Sequence, residues 1–314
     1  MEIGVILPNT GPLGAAEGLF AIADRAETLG LDSLWAGDHL ALPVDPHGAG
    51  PSGSRGGHVR IDPDTPIMDA LTVLASVAAR TERIALGVSV LILPVRHPLH
   101  VAKTATTVDR LSGGRLRLGV GLGWLEEEYR SVGIPWEQRG ALLDEQIRLL
   151  RELWTSDRPE FHGAFYDFEG MGLQPKPVNG TVPILVGGNT KRAMRRAAAS
   201  GDGWHLSNLT PAEVEGRIEL LRQECADIDR DPETVLVSKR AQLRLSELTA
   251  AGEGGGAVLA GTLEQVVQRL LEYRRIGVRE VALAPPHSEM DLLSYLRVVE
   301  VIAKEIRPAV TGAG

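Results

Sequence analysis

A short apolar segment followed by two glycines is the first place in the chain that predicts a ligand. Residues 182–186 lead into Gly187, Gly188 and Asn189, at the point where a helix is expected to begin. Because glycine has no Cβ, the backbone there can approach a ligand closely. The first N–H groups of a helix have no partner inside it and can bind an anion. The pattern therefore indicates an anion site.

The first turns of that expected helix carry four cations, Lys191, Arg192, Arg195 and Arg196. Cations at a helix N-terminus oppose the macrodipole, at a cost of roughly a few tenths of a kcal/mol each. A cost repeated at one place favours a negative ligand nearby. A solvated basic helix face accounts for the same residues equally well, so both interpretations stay open.

The second expected strand ends in Asp38 and His39, a pair suited to proton transfer. Histidine titrates nearest neutral pH, which fits general acid or base catalysis. Successive strand residues point to opposite faces, so the carboxylate and the imidazole need not touch. The alternative is a histidine that only satisfies its hydrogen bonds at a strand end.

Two further strand ends carry residues that suit a ligand. Gly121 and Gly123 belong to a glycine-rich stretch, but Trp124 stands where a dinucleotide fingerprint requires its third glycine. Glycines at such a strand end leave room for a flat ring against the backbone. Ser207 follows the strand expected at residues 203–206, and its hydroxyl suits either a phosphate or the cap of the next helix.

Strand-like and helix-like segments alternate along the chain, which predicts a parallel sheet. The expected strands are residues 3–7, 33–36, 84–88, 115–119, 183–186, 203–206, 235–239 and 281–284. The expected helices are residues 15–29, 66–80, 98–111, 139–154, 191–200, 211–228, 262–276 and 290–306. Units of this number predict a (β/α)₈ TIM barrel in one domain over residues 1–314, with an open doubly wound sheet as the alternative.

Three insertions break the regular spacing: residues 41–65 after strand two, 245–261 after strand seven and 157–181 before strand five. The first two leave the carboxyl ends of their strands, where barrel enzymes place their chemistry. They are therefore expected to be either lids over a site or insertions without function. The third contains four aromatic residues and is expected to form a β-hairpin packed on the barrel.

The composition is that of an ordinary soluble globular protein, with 43% hydrophobic and 24% charged residues. A net charge of −8 disfavours nucleic acid as a partner. The single cysteine, Cys225, excludes an internal disulfide, and the eight histidines lack metal-like spacing. Without a signal peptide or an apolar run long enough for a bilayer, a cytoplasmic protein with no membrane partner is expected.

Taken together and in this order, the motifs resemble the bacterial luciferase-like superfamily, and more narrowly its oxidoreductases that use the deazaflavin coenzyme F420. The resemblance covers nearly the whole chain, and its most specific segments are residues 37–39, 87–90, 118–129, 186–189 and 201–204. It implies a barrel whose cofactor lies across the carboxyl-end mouth and exchanges a hydride with a small organic substrate. Dimers are common among such relatives, so a homodimer is an expectation as well.

The resemblance also assigns roles around the cofactor ring. Ser89 and Val90 match a bulge with a non-proline cis peptide beneath the ring. Gly121 and Gly123 match the strand end that borders the ring. The region that holds the cofactor phosphate is matched by Gly187, Gly188, Asn189 and Ser207.

For the chemistry, Asp38 matches a residue that contacts the ring, and His39 matches the acid or base near its reactive carbon. Sugar-phosphate dehydrogenases of the superfamily carry a proton-donating glutamate where this chain has Trp124. That departure argues against their substrate and leaves His39 as the main acid or base. An FMN-dependent monooxygenase, which uses reduced flavin and dioxygen, and a barrel that binds a ligand without catalysis remain as alternatives.

Overall fold

Parallel strands close into a barrel in the computed structural model, which describes residues 1–44, 62–249 and 257–312. The described strands are β1 (Glu2–Leu7), β2 (Ser33–Ala36), β3 (Ala85–Ile92), β4 (Leu116–Gly121), β5 (Phe161–His162), β6 (Asp167–Phe168), β7 (Ile184–Gly187), β8 (Gly203–Ser207), β9 (Leu236–Leu245), β10 (Leu259–Gly261) and β11 (Glu280–Ala284). All except β5, β6 and β10 form the barrel, in chain order, and the pairing of β8 with β9 closes it. The predicted eight-stranded barrel is confirmed, and the open-sheet alternative is wrong.

Helices follow each barrel strand. The described α-helices are α1 (Ala16–Thr28), α2 (Ala70–Ala78), α3 (Pro98–Leu111), α4 (Glu126–Ser131), α5 (Arg139–Thr155), α6 (Lys191–Ser200), α7 (Pro211–Ala226), α8 (Leu263–Arg275), α9 (Leu292–Val301) and α10 (Arg307–Thr311). Helix α2 begins later than expected because Asp69 caps it, accepting the backbone N–H of Thr72 at 2.9 Å. The short helix α4 has no counterpart among the predicted helices.

Alternate strand residues pack on opposite sides of the barrel wall. In β1, Ile3, Val5 and Leu7 belong to the large apolar core that the helices cover. Ile6 faces the other way and packs with Trp35 and other residues in a smaller cluster inside the barrel. The period of two that a strand imposes on its side chains therefore separates these two cores.

Two strands continue four or more residues past their predicted ends, toward the carboxyl-end mouth. Strand β3 continues to Ile92, with a register irregularity between Val88 and Leu91. Strand β9 continues to Leu245, and its last residues pair with β10. Residues 45–61 and 250–256, which include most of the first predicted insertion and the glycine triplet of the second, lie outside the described residues.

The segment before β7 contains the predicted hairpin, in which β5 and β6 pair in antiparallel fashion. Glu145 of α5 fixes the turn by accepting the backbone N–H groups of Ala164, Phe165 and Tyr166, each at 2.8 Å. The hairpin is thereby fastened to the outside of the barrel.

Candidate functional site

His39 follows β2 at the mouth of the barrel, the end at which the barrel strands have their carboxyl termini. Its Nδ1 atom lies 2.9 Å from Oε2 of Glu128, a residue of α4. The other oxygen of Glu128 accepts the backbone N–H of Leu40 at 2.7 Å. Because an ionised carboxylate can only accept hydrogen bonds, Nδ1 donates and Nε2 is the ring nitrogen left to accept a proton. The imidazole is therefore held in one orientation.

Asp38 has a fully buried side chain that bonds within the protein. One carboxylate oxygen pairs with Arg96, and the other accepts the backbone N–H of Ile92 at 2.9 Å. Burial raises the pKa of Asp38, and the charge of Arg96 acts in the opposite direction. The two oxygens thus join the end of β2 to the end of β3. Contact of Asp38 with a bound ring stays a prediction.

The Ser89–Val90 peptide bond is cis, as the resemblance implies. Val90, on β3, lies against one glycine at the end of β4 and one at the end of β7. A Cβ added at Gly121 would lie 2.6 Å from Cγ2 of Val90, and one added at Gly187 would lie 3.0 Å from Cγ1. Only a residue without Cβ leaves room for the valine at both places. We call Ser89, Val90, Gly121 and Gly187 the floor of the mouth.

His205 supports the floor from inside the barrel. Its Nε2 atom lies 2.8 Å from Oγ of Ser89, and its Nδ1 atom lies 3.0 Å from Oγ of Ser238. The ring of Trp35 stacks on the imidazole at 4.8 Å between centroids. Burial, with a smaller contribution from the charge of Arg240, lowers the pKa of His205 to about 3. His205 is therefore neutral near pH 7 and holds Ser89 in place.

Gly123 lies just beyond the end of β4. Its φ of 67° is one that residues with a side chain seldom adopt. An added Cβ would also lie 3.0 Å from Cγ2 of Ile92. The turn that Gly123 makes leads to Trp124, whose ring meets His39 edge-on at 5.9 Å between centroids. Glycine at this position thus helps to place an aromatic wall beside the imidazole.

The predicted phosphate region lies where β7 and β8 end side by side. The side-chain amide of Asn189 donates to the carbonyl of Ser207 at 2.7 Å, which ties the two loops together. The indole of Trp204 donates to the carbonyl of Gly188 at 2.7 Å. Gly188 has a φ of 112°, a conformation that favours glycine. The predicted phosphate residues are thus adjacent, and phosphate binding itself stays a prediction.

The cations at the start of α6 mostly have protein partners. Lys191 and Arg195 lie 3.5 Å and 3.0 Å from the carboxylate of Glu224 on α7. Arg196 is buried and pairs with a carboxylate of α5, whereas Arg192 is exposed. Pairing between neighbouring helices explains three of these cations without a bound anion. Thr190 caps the helix and accepts the backbone N–H of its third residue.

Metal-binding side chains do not gather anywhere in residues 1–44, 62–249 and 257–312: no group of three or more His, Cys, Asp or Glu residues there could hold an ion. In the same part of the chain, none of the helices has the length and apolar character needed to cross a bilayer.

Comparison with known protein families identifies the fold that carries this site. The family model described as luciferase-like monooxygenase matches residues 1–247. The chain belongs to the luciferase-like monooxygenase family. The barrel, the cis peptide within β3 and the glycine turn at the end of β7 are the features that the resemblance implies.

Relatives within the luciferase-like family use two kinds of cofactor. The F420-dependent glucose-6-phosphate dehydrogenase of Amycolatopsis mediterranei is 33% identical over 245 residues, which are 74% of this chain and 68% of that protein. The FMNH₂-dependent dimethylsulfone monooxygenase of Pseudomonas putida is 32% identical over 162 residues, which are 50% of this chain and 44% of that protein.

A solved structure shows the same luciferase-like fold. The F420-dependent secondary alcohol dehydrogenase, determined with an F420–acetone adduct, is similar with a TM-score of 0.78 at 17% identity. The match covers 98% of each chain.

Glu128 is one of the site residues that sequence reasoning missed, together with Arg96 and His205. Glu128 stands in the run Glu126-Glu127-Glu128, in which all three carboxylates look alike. In the structure Glu128 alone of the three lies buried against His39, at 2% exposure. The only sequence signal is its place shortly after a glycine-rich strand end, where a barrel positions side chains at its mouth.

Proposed function

We propose that this protein is an oxidoreductase that transfers a hydride between the deazaflavin coenzyme F420 and a small organic substrate, with His39 as the proton donor or acceptor. One observation carries the proposal: the buried carboxylate of Glu128 fixes the His39 imidazole at the barrel mouth and leaves Nε2 available. Similarity to an F420-dependent enzyme over 74% of the chain supports the choice of cofactor.

The residues present fit a flat cofactor. The floor carries no side chain larger than valine, and the glycines beside Val90 have no space for a Cβ. At the end of β7, the turn with φ of 112° at Gly188 exposes backbone next to the tied loop of Ser207. We propose that this turn and Ser207 hold the phosphate, and that the ring lies over the floor. The cations of α6 are not assigned to the phosphate, because three of them have carboxylate partners.

When bound, the deazaflavin supplies an acceptor or donor for two electrons and one hydrogen nucleus, transferred together as a hydride. The protein then has to move one proton. When an alcohol is oxidised, its C–H bond breaks as the hydride leaves, and its O–H proton passes to Nε2 of His39. Glu128 accepts the hydrogen bond of Nδ1–H throughout and stabilises the charged imidazole that results. The reverse direction returns the same proton to the substrate oxygen.

Asp38 has a positioning role in this proposal. Its carboxylate holds Arg96 and the backbone of Ile92, which places the loops after β2 and β3 relative to each other. His39 follows directly in the chain, so the position of the imidazole depends on that connection. The ring of Trp124 then packs edge-on against the imidazole that Asp38 helps to place.

The second candidate is an FMN-dependent monooxygenase, which the similarity to a dimethylsulfone monooxygenase favours. The glycine turn suits the phosphate of either cofactor. The two candidates separate when the purified protein is titrated with F420 and with FMN in parallel and cofactor fluorescence is followed. Tighter binding of F420, and reduction or oxidation of bound F420 by members of a panel of alcohols and aldehydes, is the expected result. Binding of FMN with no binding of F420 would overturn the proposal.

A further inference from the structure

Strand β9 sends a column of polar side chains into the barrel. Ser238 bonds to His205 in the interior, and Arg240 donates from Nη1 to the carbonyl oxygen of Ser89 at 3.2 Å. The residue between them points outward: Lys239 donates to the carbonyl of Leu209 on the helix side. The alternation of a strand therefore places Arg240 one layer above Ser238, at the level of the floor.

The register of the sheet surrounds Arg240 with small neighbours. Ser207 on β8 and Ala282 on β11 are its partners in the flanking strands. The floor itself carries no charge. Arg240 is thus the charged side chain that β9 adds to a layer otherwise built from small or apolar residues, and it touches the floor at Ser89.

The guanidinium of Arg240 has little to bind within the described residues. Its five N–H donors make one hydrogen bond there, and no carboxylate lies within ion-pair distance. The other arginines in similar places differ. Arg96 pairs with Asp38, and Arg244, four residues further along β9, pairs with Glu289. Arg115 has no carboxylate partner either, but protein oxygens accept hydrogen bonds from all three of its nitrogens.

Two nearby histidines are neutral near pH 7 and add no second positive charge beside Arg240. Burial lowers the pKa of His205 to about 3. Burial, together with the charge of Arg240, also lowers the pKa of His287, whose Nε2 atom lies 2.7 Å from Oγ1 of Thr10. Burial lowers the pKa of Arg240 as well, although the residue keeps partial access to solvent. A half-buried cation with no carboxylate partner among the described residues can be reached and stabilised by a negative ligand.

We propose that Arg240 binds the negative charge that the cofactor ring carries in its reduced form, and so favours the reduced cofactor over the oxidised one. The inference rests on the proposed function. The ring is the ligand, rather than an anionic group of the substrate, because Arg240 bonds to Ser89 of the floor and lies at the level of the floor. The guanidinium holds a fixed charge at any working pH, so its preference for an anion does not depend on a protein proton.

The test measures dissociation constants for oxidised and reduced F420, and for oxidised and reduced FMN, under anaerobic conditions. The wild type is compared with Arg240→Gln, Arg240→Lys and the matched control Arg244→Gln. We expect Arg240→Gln to weaken binding of the reduced cofactor about tenfold more than binding of the oxidised one. For a two-electron couple, that ratio lowers the reduction potential of the bound cofactor by about 30 mV. Arg240→Lys keeps most of the preference, and Arg244→Gln leaves both constants unchanged.

Equal loss of affinity for both redox forms in Arg240→Gln, with circular dichroism unchanged, would show that the charge is not used on the ring. Unchanged cofactor binding in Arg240→Gln, together with weaker binding of the carboxylate probes benzoate or oxalate, would assign the charge to the substrate instead. Either result overturns the inference and leaves the proposed function standing. A wild-type protein that binds neither cofactor overturns both, which distinguishes the two failures.

Discussion

The Nδ1 atom of His39 lies 2.9 Å from Oε2 of Glu128, and the two side chains differ sharply in exposure, 23% against 1%. A buried carboxylate thus holds an imidazole that solvent and ligands can reach. The second oxygen of Glu128 binds the backbone of Leu40, so the carboxylate cannot rotate away without breaking two hydrogen bonds. This arrangement fixes which ring nitrogen faces the mouth, which is what an acid or base needs.

Replacing Glu128 by Gln is therefore expected to lower turnover while cofactor binding stays the same. The neutral amide no longer stabilises a charged imidazole, and its NH₂ group competes with Nδ1–H as a donor. General acid–base catalysis contributes about 10²–10⁴-fold. We therefore expect kcat to fall roughly 10- to 100-fold in Glu128→Gln, and by up to about 10⁴-fold in His39→Ala. Steady-state kinetics with a substrate from the alcohol and aldehyde panel measures both.

The control for that prediction is Glu126→Gln. Glu126 is exposed and lies 3.6 Å from Arg130 on the same helix, so its charge has no role at the mouth and kcat should not change. Wild-type turnover in Glu128→Gln would contradict the orientation that we assign to His39.

Sequence reasoning located His39 and missed Glu128 for one physical reason. The carboxyl end of a barrel strand is a position that the strand pattern itself reveals, so His39 could be placed at the mouth. Glu128 depends on how a helix of six residues packs back toward β2, and no periodicity in so short a segment predicts that contact. The cis peptide at Ser89–Val90 was likewise expected only from the resemblance, since nothing in the residues between Gly87 and Leu91 requires it.

The cations of α6 show why the sequence left two interpretations open, a nearby anion and a basic helix face. The carboxylate partner of Lys191 and Arg195 lies on α7, far away in the sequence. Charge patterns along one helix do not reveal the charges of the helix that will pack beside it. The adjacency of Asn189 and Ser207 follows from strand order in a barrel, whereas phosphate binding there stays a prediction.

Gly121→Ala is expected to damage the floor. The new Cβ would lie 2.6 Å from Cγ2 of Val90, which forces the valine or the strand to move. Overpacking of this kind costs about 1–3 kcal/mol, measurable by urea denaturation, and we expect weaker binding of F420 as well. The double variant Gly121→Ala with Val90→Ala removes the overlap and should recover most of the stability.

A matched glycine without that neighbour is Gly216 in α7. Nothing lies within 4 Å of a Cβ built there, and the residue is exposed. Gly216→Ala should stabilise the protein by about 0.5–1 kcal/mol, because alanine is the better helix former. If Gly121→Ala proved as stable as Gly216→Ala, the account of the floor would be contradicted.

Asn189→Ala is expected to weaken cofactor binding more than removal of a nearby positive charge. The amide of Asn189 joins the loops after β7 and β8 at 2.7 Å, and its loss leaves the carbonyl of Ser207 without that partner. Loss of one such hydrogen bond costs about 1–3 kcal/mol when the acceptor stays buried. We expect the dissociation constant for F420 to rise roughly tenfold, whereas Lys191→Gln, whose charge pairs with Glu224, should change it less than about twofold. Equal effects of the two variants would instead indicate that the cations of α6 help to bind the phosphate.

His205 is expected to make the folded protein less stable in mild acid. Burial lowers its pKa in the folded state to about 3, well below the ordinary value of 6.5. Between these two values the unfolded chain binds a proton that the folded protein does not, so stability falls as the pH falls from about 6.5 toward 3, by up to about 1.4 kcal/mol per pH unit. Urea denaturation of the wild type, His205→Asn and the exposed control His162→Asn at pH 7 and pH 5 measures this slope. The His205 variant should be less stable at pH 7 but lose less on acidification, because a residue that does not titrate cannot contribute to the slope. If the His205 variant instead lost as much stability on acidification as the wild type, His205 would already be protonated in the folded barrel. The account of a neutral, buried His205 would then be contradicted.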